Sequence, residues 1–253
     1  MNELDLRPRS ATEIVDAAFQ LYRRAPTQLI LAAAVVYVPW LILRLVFDLG
    51  VTDQMPTLAT ALWLLVGTIV VYSIVGGVVS VLASDAYLGR PLDVGEAFRA
   101  TAARFLTLVV AAVIRAFLIG IGMLFLIFPG VYALGALFAV TQTIVLEGSG
   151  VGGALSRSSA LSVGLKGHII GTLLLIGLIG FAVSVGIGLL SGLSQSKVIV
   201  NVVSTAVAVV LYPLFALSET LLYYDARIRK EGFDVEYLAA TQPNADAPRG
   251  ATI

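Results

Sequence analysis

From Phe105 to Glu147 the chain reads FLTLVVAAVIRAFLIGIGMLFLIFPGVYALGALFAVTQTIVLE, and its only charged residues are Arg115 and the closing Glu147. A helix needs ~20 apolar residues to cross a hydrocarbon core of ~30 Å, so this stretch is long enough to cross twice. Pro129-Gly130 interrupts it near the middle, and Pro-Gly is a turn signal. The stretch therefore reads as two spans, 105–127 and 129–147, joined by a tight hairpin at Phe128-Pro129-Gly130. The alternative is one kinked or re-entrant element, which would leave an odd number of spans.

Four more apolar runs lie outside it, at 27–47, 58–82, 169–191 and 198–222. The whole chain is 58% hydrophobic and 13% charged, about half the charged share of a soluble domain, and its mean hydropathy is +0.96. The fold class expected is an all-α integral membrane protein with six transmembrane helices. They form a single domain over 1–239, and a polar, disordered tail over 240–253 is expected.

Charge placement orients the bundle. Arg7, Arg9, Arg23 and Arg24 precede the first span, and Arg90, Arg99 and Arg104 lie between the second and third. Arg157 and Lys166 lie between the fourth and fifth, and Arg227, Arg229, Lys230 and Arg249 follow the sixth. With six spans these all fall on one side, leaving Asp48, Asp53 and Lys197 on the other. Lys and Arg collect in cytoplasmic loops, so both termini are expected in the cytoplasm, with the bundle in the plasma membrane of a prokaryote. The residues ahead of 27 are polar, mixed in charge and without a cleavage-like site, unlike a secretory signal.

Each pair of spans follows a short amphipathic segment, expected to lie as a helix on the cytoplasmic interface. Ser10-Ala11-Thr12-Glu13 matches a capping box, after which Ile14, Val15, Ala18, Phe19, Leu21 and Tyr22 share one helical face. Asp93 and Glu96 repeat such a start, with Val94, Ala97, Phe98, Thr101 and Ala102 on one face. The third copy is weaker, with Val151, Leu155, Ser158, Ser162 and Leu165 aligned. Three copies of helix plus two spans suggest internal duplication.

Charges inside spans are the first functional candidates, because each is costly in hydrocarbon. Arg115 stands ~15 Å past Arg104 along its helix, and Glu219 ~9 Å before Asp225. Their depths differ, and a bridge between them requires a side chain to reach across that difference. It reads either as a structural ion pair or as part of a substrate or ion pathway. Asp85, Glu147 and Asp225 recur at the ends of spans two, four and six, each near glycine and basic residues. They read as interfacial ion pairs and helix ends, or as the rim of a basic ring of Arg23, Arg24, Arg104, Lys166 and Arg227 that binds phospholipid head groups. Small residues four apart, Gly180, Ser184, Gly188 and Gly192, with Gly76, Ser80 and Ser84, mark close helix packing inside the chain or a homodimer seam. Pro39 and Pro213 fall inside spans and are expected to kink them.

Equal totals of 16 basic and 16 acidic residues give no polyanion-binding signature, so nucleic acid is not an expected partner. No cysteine and one histidine, His168, rule out a Cys/His zinc site or a thiol nucleophile, and no cofactor or metal is implied. Known catalytic strings are absent.

The opening LRPRSATEIVDAAFQLYRRAPTQLI (6–30) and the closing LLYYDARIRKEGFDVEYLA (221–239) resemble the membrane domain fused to bacterial glycerophosphoryl diester phosphodiesterases, and its stand-alone relatives. The matching residues are Leu6, Arg7, Pro8, Ile14, Phe19, Tyr22 and Arg23, then Tyr224, Asp225, Arg227, Arg229, Lys230, Glu231, Gly232 and Asp234. The segment 128–164 is similar to the family's central part. In the fused members a separate soluble domain carries hydrolysis, so the resemblance implies a membrane module without that activity. The function expected is a non-catalytic module whose partners are membrane lipids, a partner membrane protein or a second copy. A small transporter or channel with a pathway near Arg115 and Glu219 is the alternative.

Overall fold

The computed structural model describes residues 7–50, 58–193 and 196–241. Leu6, Asp53, Arg249 and all but the start of the 240–253 tail lie outside them, as do the side chains of Asp48 and Lys197 and the surroundings of Gly192. The described residues form helices and no strands. In chain order these are α1 (Ala11–Arg24), α2 (Pro26–Gly50), α3 (Leu58–Tyr87), α4 (Val94–Ala103), α5 (Phe105–Phe125) and α6 (Ile127–Ala136). They continue with α7 (Val140–Glu147), α8 (Val151–Ser162), α9 (Lys166–Leu193), α10 (Lys197–Glu231) and α11 (Phe233–Thr241).

Six helical stretches are long and apolar enough to cross a membrane, and the fourth of them joins α6 to α7. Large apolar side chains cover their outer surface, and Phe128 is 86% exposed. Water would not tolerate so continuous an apolar surface, whereas lipid makes no demand on it.

Two details of the central stretch differ from expectation. The turn falls at Leu126, which is extended (φ −157°, ψ 134°), and Phe128-Pro129-Gly130 lies in the first turn of α6. The first amides of a helix have no intrahelical acceptor, so Pro129 costs that helix nothing there. Close approach is what needs glycine: a Cβ on Gly122 would stand 2.7 Å from the Gly130 Cα, so α5 and α6 touch backbone to backbone. The second difference is that the fourth span is not one helix. It breaks over Leu137, Phe138 and Ala139, all buried. Free backbone groups at such a break need partners. Ser158 of α8 supplies them: its Oγ accepts from the Ala139 N–H (3.0 Å) and donates to the Ala136 carbonyl (2.9 Å).

The short helices form for reasons visible in their caps. Ser10 Oγ accepts from the Glu13 N–H at 3.3 Å, and the Glu13 carboxylate accepts from the Ser10 N–H at 2.8 Å and from Arg7 at 2.8 Å. These bonds, the Ser10 amide first, hold the Glu13 carboxyl down at about 2. α1 buries Ile14, Val15, Ala18 and Leu21, while Phe19 of the expected face stays 40% exposed. Asp93 caps α4 through the Glu96 N–H at 3.0 Å. The buried face of α8 is Ala154, Ser158, Leu161 and Ser162, so Ser158 and Ser162 of the expected stripe are buried while Val151, Leu155 and Leu165 are half-buried.

α3 runs through the middle, packed against α2, α4, α5, α7 and α10. Its small residues Gly76, Ser80 and Ser84 meet α10: Gly76 lies under the Tyr212 hydroxyl, Ser80 reaches Thr220, and Ser84 bonds the Tyr224 hydroxyl at 2.6 Å. In α9, Gly180 lies against Phe215, whereas Gly188 faces open space. Both α2 and α10 continue through their prolines.

Candidate functional site

A polar ladder links three of the spanning segments. Ser80, Gln142 and Thr220 each stand five residues before Asp85, Glu147 and Asp225 respectively. All three are buried and meet at one point, where Ser80 Oγ receives the Gln142 amide and the Thr220 hydroxyl, each at 3.3 Å.

At the same end of the bundle the carboxylates hold the segments together. Asp225, 3% exposed, accepts from the Arg9 backbone N–H (2.7 Å), from His168 Nε2 (3.0 Å) and from Arg229 Nε (2.8 Å). Arg229 also donates to the Arg9 carbonyl at 2.8 Å. One carboxylate thus ties the lead-in of α1, the start of α9 and the end of α10. Glu147 accepts from Tyr223 (2.8 Å) and from Arg157 (3.0 Å), and Arg157 also pairs with Glu231. Hydrogen bonds to Glu231 and then Glu147 push the Arg157 guanidinium further above its ordinary value. Among the described residues the side chain of Asp85 has only a loose contact with Arg90, at 3.9 Å.

Beside these networks lies a cavity of about 310 Å³ lined by Ser84, Asp85, Arg90, Tyr223, Tyr224 and Arg227, with Phe233 and Tyr237 on the α11 side. Arg227 is held in place by Glu231 (3.0 Å) and by the Phe233 ring, 4.3 Å from its guanidinium carbon. A planar cation so fixed, with a second arginine on a weak partner and phenols alongside, is suited to an anionic oxygen ligand.

Of the five basic residues expected to bind head groups, only Arg227 lines this cavity. Arg104 donates to the Gly148 carbonyl at 3.0 Å and so closes the end of α7. Lys166 sits over the Tyr132 ring at 4.7 Å, and Arg23 and Arg24 are exposed on α1. Arg115 and Glu219 do meet, at 3.7 Å. The long arginine side chain spans the depth difference between the two backbones.

Sequence reasoning missed Arg90 as a cavity residue, Ser158 as the repair of a helix break, and the centring of three segments on Asp225. A signal existed for Gln142 and Asn201, since an amide inside an apolar run demands a partner. None existed for Ser158, whose partners are backbone atoms.

Comparison of the chain with known protein families, with curated proteins and with solved structures gives no match.

Proposed function

We propose that this chain is a non-catalytic membrane module that binds the head groups of anionic phospholipids at its basic end. The observation that carries this reading is the 310 Å³ cavity holding Arg90 and Arg227 among tyrosines. A phosphate there displaces the loose Asp85 contact from Arg90 and takes a charge-assisted bond from each arginine. In this reading the six spans form three hairpins, and α1, α4 and α8 lie on the cytoplasmic interface of a prokaryotic plasma membrane, with both termini inside. The one-sided distribution of basic residues supports that orientation. The exposed Arg23 and Arg24 then face the lipid surface. The resemblance to phosphodiesterase-associated membrane domains is compatible with a lipid-handling role without hydrolysis, and a partner membrane protein or second copy is the other occupant to test.

The test is native mass spectrometry of the full chain while detergent is stripped stepwise. Retention of phosphatidylglycerol over phosphatidylcholine, lost in Arg90→Gln with Arg227→Gln, is the expected result. Retention of both lipids alike, or unchanged retention in that double variant, refutes the reading. Retained protein mass in place of lipid would turn the reading to a partner.

One observation favours transport as a second reading: Arg115 and Glu219, charges inside two of the spanning helices, pair at 3.7 Å. Flux in proteoliposomes that is lost in Arg115→Ala and kept in Arg99→Ala would support it; Arg99 is an exposed residue paired only with Glu96.

A further inference from the structure

A second polar cavity lies in the other half of the bundle. Helices α2, α3, α9 and α10 enclose it in two adjoining lobes of about 160 and 260 Å³, which share Tyr37, Tyr72, Ser204 and Ala208. At 1.5 Å per residue it begins ~16 Å along α2 from Pro26, at Tyr37, and reaches ~27 Å, at Arg44. It is thus well separated from Arg90 and Arg227.

The two lobes differ in chemistry. Arg44, Thr68, Thr205 and Ser204 line the smaller one. Val183, Ile187, Leu211 and Phe215 dominate the larger, between α9 and α10. Arg44 donates through Nη2 to Asn201 Oδ1 at 3.0 Å, but its Nε is buried with no hydrogen-bond partner, and no described carboxylate pairs with it. Tyr37 is 5% exposed and its hydroxyl makes no hydrogen bond of ordinary length, the Tyr72 side chain beside it being too distant or misaligned for one. Its ring is held edge-on by Tyr72 and Tyr212, with centroids 6.4 and 6.1 Å away. A half-buried guanidinium with its Nε shielded from solvent, and a buried phenol, both with unused donors on one cavity, are costly unless something there accepts from them. What accepts from both is an anionic oxygen, and what fills the larger lobe is hydrocarbon.

We infer that this cavity binds a lipid anion, with its phosphate or carboxylate on Arg44 and Tyr37 and its chain in the apolar lobe between α9 and α10. The site is independent of the one at the basic end.

The chain reports on its own occupancy. Its two tryptophans are Trp40, which lines the polar lobe, and Trp63, stacked on it at 4.9 Å between centroids. Titrating the full-length protein in neutral detergent with phosphatidylglycerol brominated on its chains is expected to quench this fluorescence saturably. Brominated phosphatidylcholine is expected to bind at least ~10-fold more weakly, and Arg44→Gln to lose that preference, since a charge-assisted pair is removed. Tyr37→Phe, which deletes one hydroxyl and leaves the ring, is expected to weaken phosphatidylglycerol about 5-fold. Should Arg44→Gln fail to fold, Tyr37→Phe and the charge-retaining Arg44→Lys carry the test. Equal quenching by both lipids, or an unchanged preference in a folded Arg44→Gln, overturns the inference. Displacement of the brominated lipid by millimolar inorganic phosphate would make a free anion the ligand and overturn the lipid assignment. Arg90→Gln is expected to leave this quenching unaltered, so the two sites succeed or fail separately.

Discussion

Asp225 is the residue whose loss the structure makes most costly at the basic end, and Asp225→Asn isolates its charge. Oδ1 accepts the Arg9 backbone N–H, while Oδ2 accepts from both His168 and Arg229. An asparagine can keep an oxygen on Arg9, but it then turns an NH₂ toward two donors. Hydrogen bonds to charged groups contribute roughly 1.5–3 kcal/mol each, and breaking a buried pair costs about 3–5 kcal/mol. The His168 and Arg229 side chains are 22% and 30% exposed, so water takes over part of what they lose. About 3 kcal/mol is the expected net cost. For a chain of this size each kcal/mol moves Tm by about 2–4 °C, which gives a fall of about 6–12 °C. Circular dichroism melting in detergent measures it, with the exposed Asp16→Asn as control, expected within about 1 °C of the parent. Arg9→Pro removes the donor N–H together with the side chain that lies over Tyr87, and Arg9→Ala removes that side chain alone, so the difference between the two, expected at roughly a third of that fall, reports the amide. If Asp225→Asn melted within 2 °C of the parent, the carboxylate would be solvated rather than a tie between segments, and the reasoning would fail.

Three further outcomes follow from the packing. Ser158→Ala leaves the Ala136 carbonyl and the Ala139 amide unpaired in a buried helix break, and an expected loss of about 2–4 kcal/mol should appear as a lower Tm in the same assay. Because the folded Glu13 carboxyl titrates at about 2 against 4.5 ordinarily, the α1 cap contributes stability in full above pH 4.5 and loses it as pH falls toward 2. Glu13→Gln should flatten Tm against pH in that window, and a parallel curve would refute the assignment. A Cβ on Gly67 would sit 1.9 Å from the Trp40 ring, so Gly67→Ala must displace the ring and shift the tryptophan emission maximum; an unchanged spectrum would contradict the α2 to α3 packing.

Hydrophobic length and charge placement are local properties, and they sufficed for the class of fold. Six stretches near Phe105, Leu58 and the rest are apolar because the solvent around them is lipid, and no tertiary contact is needed to read that. The caps at Ser10 and Asp93 were legible for the same reason, since each is satisfied within four residues. The turn after α5 and the break inside the fourth span were not. Pro129 signals a turn in water-facing sequence, but at a helix start it is merely tolerated, and the break at Leu137–Ala139 is stable only because Ser158, distant in sequence, answers its backbone.

The sites divide along the same line. That Asp85, Glu147 and Asp225 recur was visible by counting, as were the intramembrane Arg115 and Glu219. Which carboxylate would be buried, and which arginine would be spent on structure, depended on distances between segments that sequence does not contain. Arg104 went to the Gly148 carbonyl and Arg157 to two carboxylates, while Arg90 was left beside a cavity. Arg44 is visible as a charge inside the first span, but nothing in the sequence joins it to Tyr37. Only the packing of α2 against α3, α9 and α10 leaves their donors unanswered around one space, because a hydrogen bond is a statement about neighbours and neighbours are decided by the fold.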